Sequence, residues 1–332
     1  MDIIKKIKTS VKNSKIRLVF PEGEDERILK AVKIALKEKL IIPILVGDDN
    51  KIRNKAKKLN MNLKGVKIID PLKSEDFGRY ADIYSKKSKI ARRTAELIVR
   101  KPLIFSALVL DSGGADGMIA GAVYTSGDVI AVSNEVVGLK KGISVPSSFF
   151  VMSIPNYSGG EKGNLIYADV SVNPNPTSEE LADIAIASGD SAKEIFGWVP
   201  RIAMLSFSTR GSAEHPDVSK VIKAKEIAVK KARGMHIDGE FQADSALVMP
   251  IAKRKMKKVG EVAGRANILI FPDLDAGNIS YKLTQIFTGA KAYGPILQGF
   301  AKPISDLSRG ATVEDIVGTI SILAAWAKRR KK

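Results

Sequence analysis

Short apolar runs recur along the chain, separated by longer stretches in which apolar residues return every three or four positions. "IRLVF" (16–20), "LIIPILVGD" (40–48), "VKIID" (66–70), "DGMIAG" (116–121), "SVPSSFFVMSIP" (144–155), "RIAMLSFS" (201–208), "ANILIF" (266–271) and "YGPILQG" (293–299) read as strands, each followed by a helix or turn signal. A first helix is expected in "MDIIKKIKTSVKNSKIRLVF", where lysines interleave with isoleucines at helical spacing. Further helices are expected from about Glu24, in two segments ending at Arg100, and from Ser178 after the proline-broken loop 171–180. Another opens at Pro216, since proline is favoured as a first helical residue. This alternation predicts an α/β protein with largely parallel sheets. Ligands in such sheets sit beyond the carboxyl ends of strands. Four turns therefore stand out, "PEGED" (21–25), "SFSTRGSAEHP" (206–216), "FPDLDAGN" (271–278) and "QGFAKPISDLSRG" (298–310), from which functional groups are expected to converge.

The turn 206–216 combines small hydroxyl residues with Gly211 and Arg210. Backbone N–H groups turned toward an anion, with a guanidinium fork beside them, would cradle phosphate. Ser208, Thr209, Arg210, Gly211 and Ser212 are thus candidate phosphate or substrate contacts, although a strand-to-helix turn rich in capping residues has the same composition. The spacing is not that of a P-loop, and His215 lacks the Gly-x-Ser-x-Gly elbow that would make Ser212 a nucleophile. His215 instead falls where a helix begins. In "SGGADGMIAG" (112–121) no Gly-x-Gly-x-x-Gly precedes a helix, so the glycines are expected to admit close backbone approach around a buried strand. In "ISDLSRGATVEDIV" (304–317), Thr312 and Asp315 form a capping pair at the start of an apolar-periodic run. Capping leaves Ser308 and Arg309 unexplained. A positive charge is disfavoured at a helix N-terminus unless an anion joins it there.

Composition narrows the chemistry. With 332 residues, 45% of them hydrophobic, two domains are expected. No apolar run approaches the 18 or more residues of a membrane helix, and the N-terminus lacks a signal core, so a cytoplasmic protein without membrane association is expected. The absence of cysteine excludes disulfides, thiolate metal sites and a cysteine nucleophile; His215 and His236 are the two imidazoles, and no metal is expected. The net charge of +18 is spread over helix-like runs and the tail "KRRKK" (328–332), with no RNA-module signature, so specific nucleic-acid binding is not expected. Such a field suits anionic small substrates.

"FPEGEDERILKA", "AMLSFSTRGSA", "DGEFQADSALV", "IFPDLDAGNISYKLTQ" and "GPILQGFAKPISDLSRGATVEDIV" together resemble the signature stretches of the phosphate acetyl/butyryltransferase family, and its acetyl branch more than its butyryl branch. The resemblance runs from about Ile16 to Ile322. It implies two α/β domains facing a cleft, a fold like that of isocitrate and isopropylmalate dehydrogenases, and a homodimer. The first domain would take residues 1–142 plus 295–332 and the second 143–294. The implied reaction is acetyl-CoA + phosphate = acetyl phosphate + coenzyme A, with coenzyme A as a substrate and no bound cofactor or metal. Matching the family motif onto "DLSRGATVEDI" makes Asp315 the base for the thiol proton, Ser308 the group orienting thiol or oxyanion, and Arg309 the holder of phosphate. Two family arginines lack counterparts: one falls in "YADIYSKKSKIARRTAEL", where Lys86, Lys87, Arg92 or Arg93 would substitute, and the other at Ala131. The readings left open are a phosphate acyltransferase preferring propionyl or butyryl groups, a non-catalytic coenzyme A or acyl-phosphate binding module, and a dehydrogenase of the same fold.

Overall fold

The structure is a computed structural model that describes residues 3–331. Its strands are β1 (Arg17–Phe20), β2 (Ile42–Val46), β3 (Lys67–Ile69), β4 (Gly117–Ala120), β5 (Ser147–Ser153), β6 (Asn164–Ala168), β7 (Arg201–Leu205), β8 (His236–Phe241), β9 (Ile268–Ile270), β10 (Lys291–Gln298) and β11 (Ile304–Asp306). The chain separates into two compact units, one containing Lys141–Gly299 and the other Ile4–Lys140 with Phe300–Lys332.

In the unit formed by Ile4–Lys140 and Phe300–Lys332, the strand order is β3-β2-β1-β4-β11, and every pairing is parallel. Leu18, Val19 and Phe20 of β1 and all of β4 are buried, as the continuous apolar runs of a sheet covered on both faces require. Helix Glu26–Lys37 follows β1 and turns Ile28, Leu29, Ala31, Val32 and Ala35 inward at helical spacing, with Asp25 capping it. Helix Val313–Arg330 is buried from Ile316 through Ala327, so its first turn is fixed at the end of a deeply packed element.

The other unit has the order β10-β5-β6-β9-β7-β8. Here β5 runs antiparallel to β10 and β6, and the pairs β6–β9, β9–β7 and β7–β8 are parallel. The expectation of an α/β fold with largely parallel strands is borne out. Helix Ser178–Ser191 starts where expected, with Thr177 and Glu180 forming a capping box, and helix Pro216–Lys231 opens at its proline with His215 as cap.

Several elements were not legible in the sequence pattern. Strands β6, β8 and β11 and helix Pro102–Asp111 add to the expected elements. Residues 103–110 of that helix are all buried, so "LIFSALVL" shows no polar face and carries no helical period. No helix among the described residues is long and apolar enough to cross a membrane.

Candidate active site

Three strand ends, those of β1, β4 and β11, meet in the unit formed by Ile4–Lys140 and Phe300–Lys332. After β1 the chain passes through Glu22, which is 6% exposed and accepts hydrogen bonds from the N–H groups of Gly121, Ala122, Val123 and Tyr124 at 3.2, 2.8, 2.7 and 2.8 Å. Burial holds this carboxyl above its ordinary range against the opposing pull of the four N–H groups. Gly121, at φ +99°, lies against β11 so closely that a Cβ would collide with the Asp306 carboxylate and the Leu307 backbone. This is the close approach expected of the glycines in 112–121. Asp306 ends β11 at 1% exposure, and neither of its oxygens makes a hydrogen bond. Burial pushes its pKa up to about 6, with the neighbouring Ser126 opposing the shift and the Glu22 charge adding to it.

From Asp306 the chain emerges into the exposed segment Ser308–Gly310. The Gly310 N–H donates to the Ser308 hydroxyl at 3.2 Å, and the Ala311 N–H donates to the Ser308 carbonyl at 2.8 Å, so the segment folds back on itself. The helix then starts with the capping box expected from sequence. Asp315 Oδ2 accepts from the Thr312 N–H at 3.0 Å and from its hydroxyl at 2.7 Å, and the Asp315 N–H donates back to that hydroxyl at 3.2 Å. The half-buried Asp315 keeps its second oxygen, Oδ1, without a hydrogen bond among the described residues. The carboxylate is thus fixed in orientation through one oxygen at the helix N-terminus.

The turn 206–216 lies in the other unit, beyond β7. Ser208 is buried and donates to Glu240 Oε1 at 2.9 Å, and the Gly211 N–H donates to the same oxygen at 2.7 Å. Arg210 Nη2 reaches both oxygens of Asp238, at 2.8 and 2.7 Å. Thr209 accepts from the Gln242 N–H at 2.9 Å, and its own N–H donates to Ser212 Oγ at 2.9 Å. The donors of Ser208, Gly211 and Arg210 expected to cradle phosphate are thus taken up by two carboxylates of β8, a strand the sequence pattern did not reveal. The candidates for the missing arginine, Lys86, Lys87, Arg92 and Arg93, are all exposed, and of them Lys87 pairs with Asp111 and Arg92 with Asp82 and Glu96. Ala131 is exposed as well. No cluster of three or more His, Asp or Glu residues suited to a metal ion occurs among the described residues.

The family described as Phosphate acetyl/butaryl transferase matches residues 2–324. The chain belongs to this family. Among similar proteins, the phosphate acetyltransferase of Clostridium acetobutylicum is 46% identical over 99% of both chains, and that of Thermoanaerobacterium thermosaccharolyticum is 44% identical over 99% of this chain and 100% of its own. A solved phosphotransacetylase from Streptococcus pyogenes superimposes with a TM-score of 0.91 at 38% identity, covering 98% of each chain. The resemblance carried by the signature stretches is borne out along the chain, and the protein is an acyltransferase.

Proposed function

We propose that this chain is a phosphate acetyltransferase that moves an acetyl group reversibly between coenzyme A and phosphate, with acetyl-CoA, phosphate and acetyl phosphate as its small-molecule partners. The observation that carries the mechanism is Asp315, anchored through Oδ2 by Thr312 and open at Oδ1. A thiol with a pKa near 8.5 is only a few per cent ionised at neutral pH, so a base in hydrogen-bond reach adds about 10² to 10⁴ in rate. Asp315 Oδ1 takes the thiol proton as sulfur attacks the acetyl carbonyl of acetyl phosphate. The C–S bond forms, the carbonyl oxygen becomes negative and receives the Ser308 hydroxyl, and the C–O bond to phosphate breaks. Arg309 holds the phosphate through both groups of N–H donors, and the proton held on Asp315 leaves with it or to water. No covalent enzyme intermediate is needed.

This reading rests on Ser308, Arg309 and Asp315. Ser208, Thr209, Arg210, Gly211 and Ser212 are left outside it, because Glu240 and Asp238 occupy donors of Ser208, Gly211 and Arg210 and would repel a phosphate, while the Thr209 N–H is spent on Ser212. Lys86 or Arg93 supplies the charge of the missing family arginine as a point or fork at the surface. We further propose a cytoplasmic homodimer. The support for self-association is the apolar stripe Ile279, Leu283, Ile286 and Phe287 on helix Leu274–Thr288, of which Ile286 and Phe287 are 75% and 77% exposed.

The test is the rate of coenzyme A thiol consumption with acetyl, propionyl and butyryl phosphate in parallel. Fastest turnover of acetyl phosphate supports the reading, and a faster longer substrate replaces acetyl with that acyl group. A folded protein that binds coenzyme A but turns over none of the three is a binding module, and the proposal fails.

A further inference from the structure

Arg27 stands in the first turn of helix Glu26–Lys37, where the helix dipole disfavours positive charge, so something else must hold it there. Its guanidinium makes four hydrogen bonds to three parts of the chain. Nε and Nη2 donate to the two oxygens of Asp25 at 3.1 and 2.9 Å, Nη2 also donates to the Ala122 carbonyl at 2.7 Å, and Nη1 donates to the Arg309 carbonyl at 2.6 Å. Asp25 is itself the helix cap, accepting from the Arg27 and Ile28 N–H groups. Glu22, three residues before it, binds the N–H groups of Gly121 through Tyr124, so that loop is gripped by an acid on its N–H side and by Arg27 on its carbonyl side.

The Arg309 contact matters most. Residues 308–310 are exposed and are otherwise bonded only within their own turn; among the described residues, Arg27 makes the single hydrogen bond that reaches them from another element. A lysine in place of Arg27 could meet one of these acceptors but has no planar fork to span Asp25 and two carbonyls at once.

We propose that Arg27 is a positioning residue for the acyl-transfer site, fixing through the Arg309 carbonyl the backbone from which the Ser308 hydroxyl and the Arg309 guanidinium project. The proposal rests on the reading of Ser308, Arg309 and Asp315 as the reacting site. Arg27 touches no substrate. Its effect is transmitted through the geometry of the segment it holds, so it must vanish when the groups on that segment are gone.

The experiment is initial-rate kinetics with acetyl phosphate and coenzyme A for Arg27→Met, Arg27→Lys and Asp25→Asn, each in the wild-type chain and in a Ser308→Ala, Arg309→Gln background that retains Asp315. Asp25→Asn keeps a competent helix cap while removing the charge that holds Arg27. In the wild-type background, Arg27→Met lowers kcat/KM for acetyl phosphate by about tenfold to a hundredfold, the scale of a misplaced reacting group, and Arg27→Lys recovers part of it. Asp25→Asn gives a smaller loss in the same parameter. In the double-variant background, the same Arg27 substitutions change kcat/KM by less than about threefold, because coupled residues are not additive. Should Arg27→Met not fold, Arg27→Lys carries the comparison.

Wild-type kinetics in the Arg27 variants, alongside a large loss in Ser308→Ala, Arg309→Gln, overturns the positioning role and leaves the site intact. An equal fold-loss in both backgrounds also overturns it, since Arg27 would then act on the fold as a whole. Unchanged kinetics in Ser308→Ala, Arg309→Gln overturns the site reading, and this inference with it.

Discussion

"STRGSAEHP" after β7 and "LSRGATVED" after β11 are the same device in sequence, a serine, an arginine and a glycine between a strand and a capped helix, yet the two turns end in opposite chemical states. In the first, the serine hydroxyl and glycine N–H close on the buried Glu240, and the arginine closes on Asp238. In the second, serine and arginine stand exposed, the arginine is held by its backbone carbonyl alone, and the adjacent buried carboxylate, Asp306, makes no hydrogen bond. Anion-binding chemistry is decided less by which donors a turn carries than by whether the neighbouring strand supplies a carboxylate to use them. Glu240 is 3% exposed and accepts two hydrogen bonds through Oε1, so it builds structure. Asp306 is as deeply buried and unpaired, a cost that the fold retains beside the candidate site.

The most direct way to break this contrast is Asp315→Asn. The amide still accepts from Thr312, so melting temperature stays within a few degrees, while kcat falls by about 10² to 10⁴. Full activity would remove Asp315 as the base and leave its carboxylate a cap like any other.

Asp306 gives the next largest effect, read as stability against pH. In the native state it keeps its proton up to about 6, whereas an unfolded chain releases it near 3.9. Between about pH 4 and 6 the native state therefore binds more protons, stability falls as pH rises, and the loss is complete above about 6. The difference is on the order of 2–3 kcal/mol at pH 7. Asp306→Asn should flatten this part of the profile and raise stability at pH 7 by part of that amount, measured by denaturant unfolding. An unaltered slope between pH 4 and 6 would show that Asp306 ionises normally.

Glu240→Ala sharpens the other half of the comparison. It leaves the Ser208 hydroxyl and Gly211 N–H without their acceptor and should lower stability by about 1–3 kcal/mol. Inorganic phosphate at millimolar concentration should not restore that loss; if it does, the turn is an anion site that Glu240 keeps closed. The smallest effect is expected from Arg210→Gln. Its pair with Asp238 is partly exposed and worth about 1 kcal/mol or less, and the KM for acetyl phosphate should not move. A raised KM would return Arg210 to the substrate site.

Much of this protein is legible in its residue pattern. The alternation of strand-length and helix-length patterns announces a parallel α/β fold, and the caps at Thr177, His215 and Thr312 lie where the pattern places them. The candidate residues Ser308, Arg309 and Asp315 come from the family resemblance of "DLSRGATVEDI", since the pattern alone accounts only for the Thr312–Asp315 cap. What escapes notice is either too short or too uniform to carry a period: β11 has three residues, β6 is buried at every position, and helix Pro102–Asp111 has no polar face. Glu22, Asp306, Glu240 and Arg27 escape for a different reason. Each sits in a stretch whose local pattern is satisfied without it.

The sequence by itself determined the elements, their caps and the family, since these depend on residues a few positions apart: Thr312 and Asp315 find each other across three residues whatever the rest of the chain does. The tertiary structure alone decided which donors are spent and which stay available. Glu22 meets the Gly121 N–H across 99 positions, Ser208 meets Glu240 across 32, and Arg27 meets the Arg309 carbonyl across 282. Charges and hydrogen-bond groups so distant along the chain are independent until folding packs them, and burial then makes a missing or present partner worth as much as the residue itself.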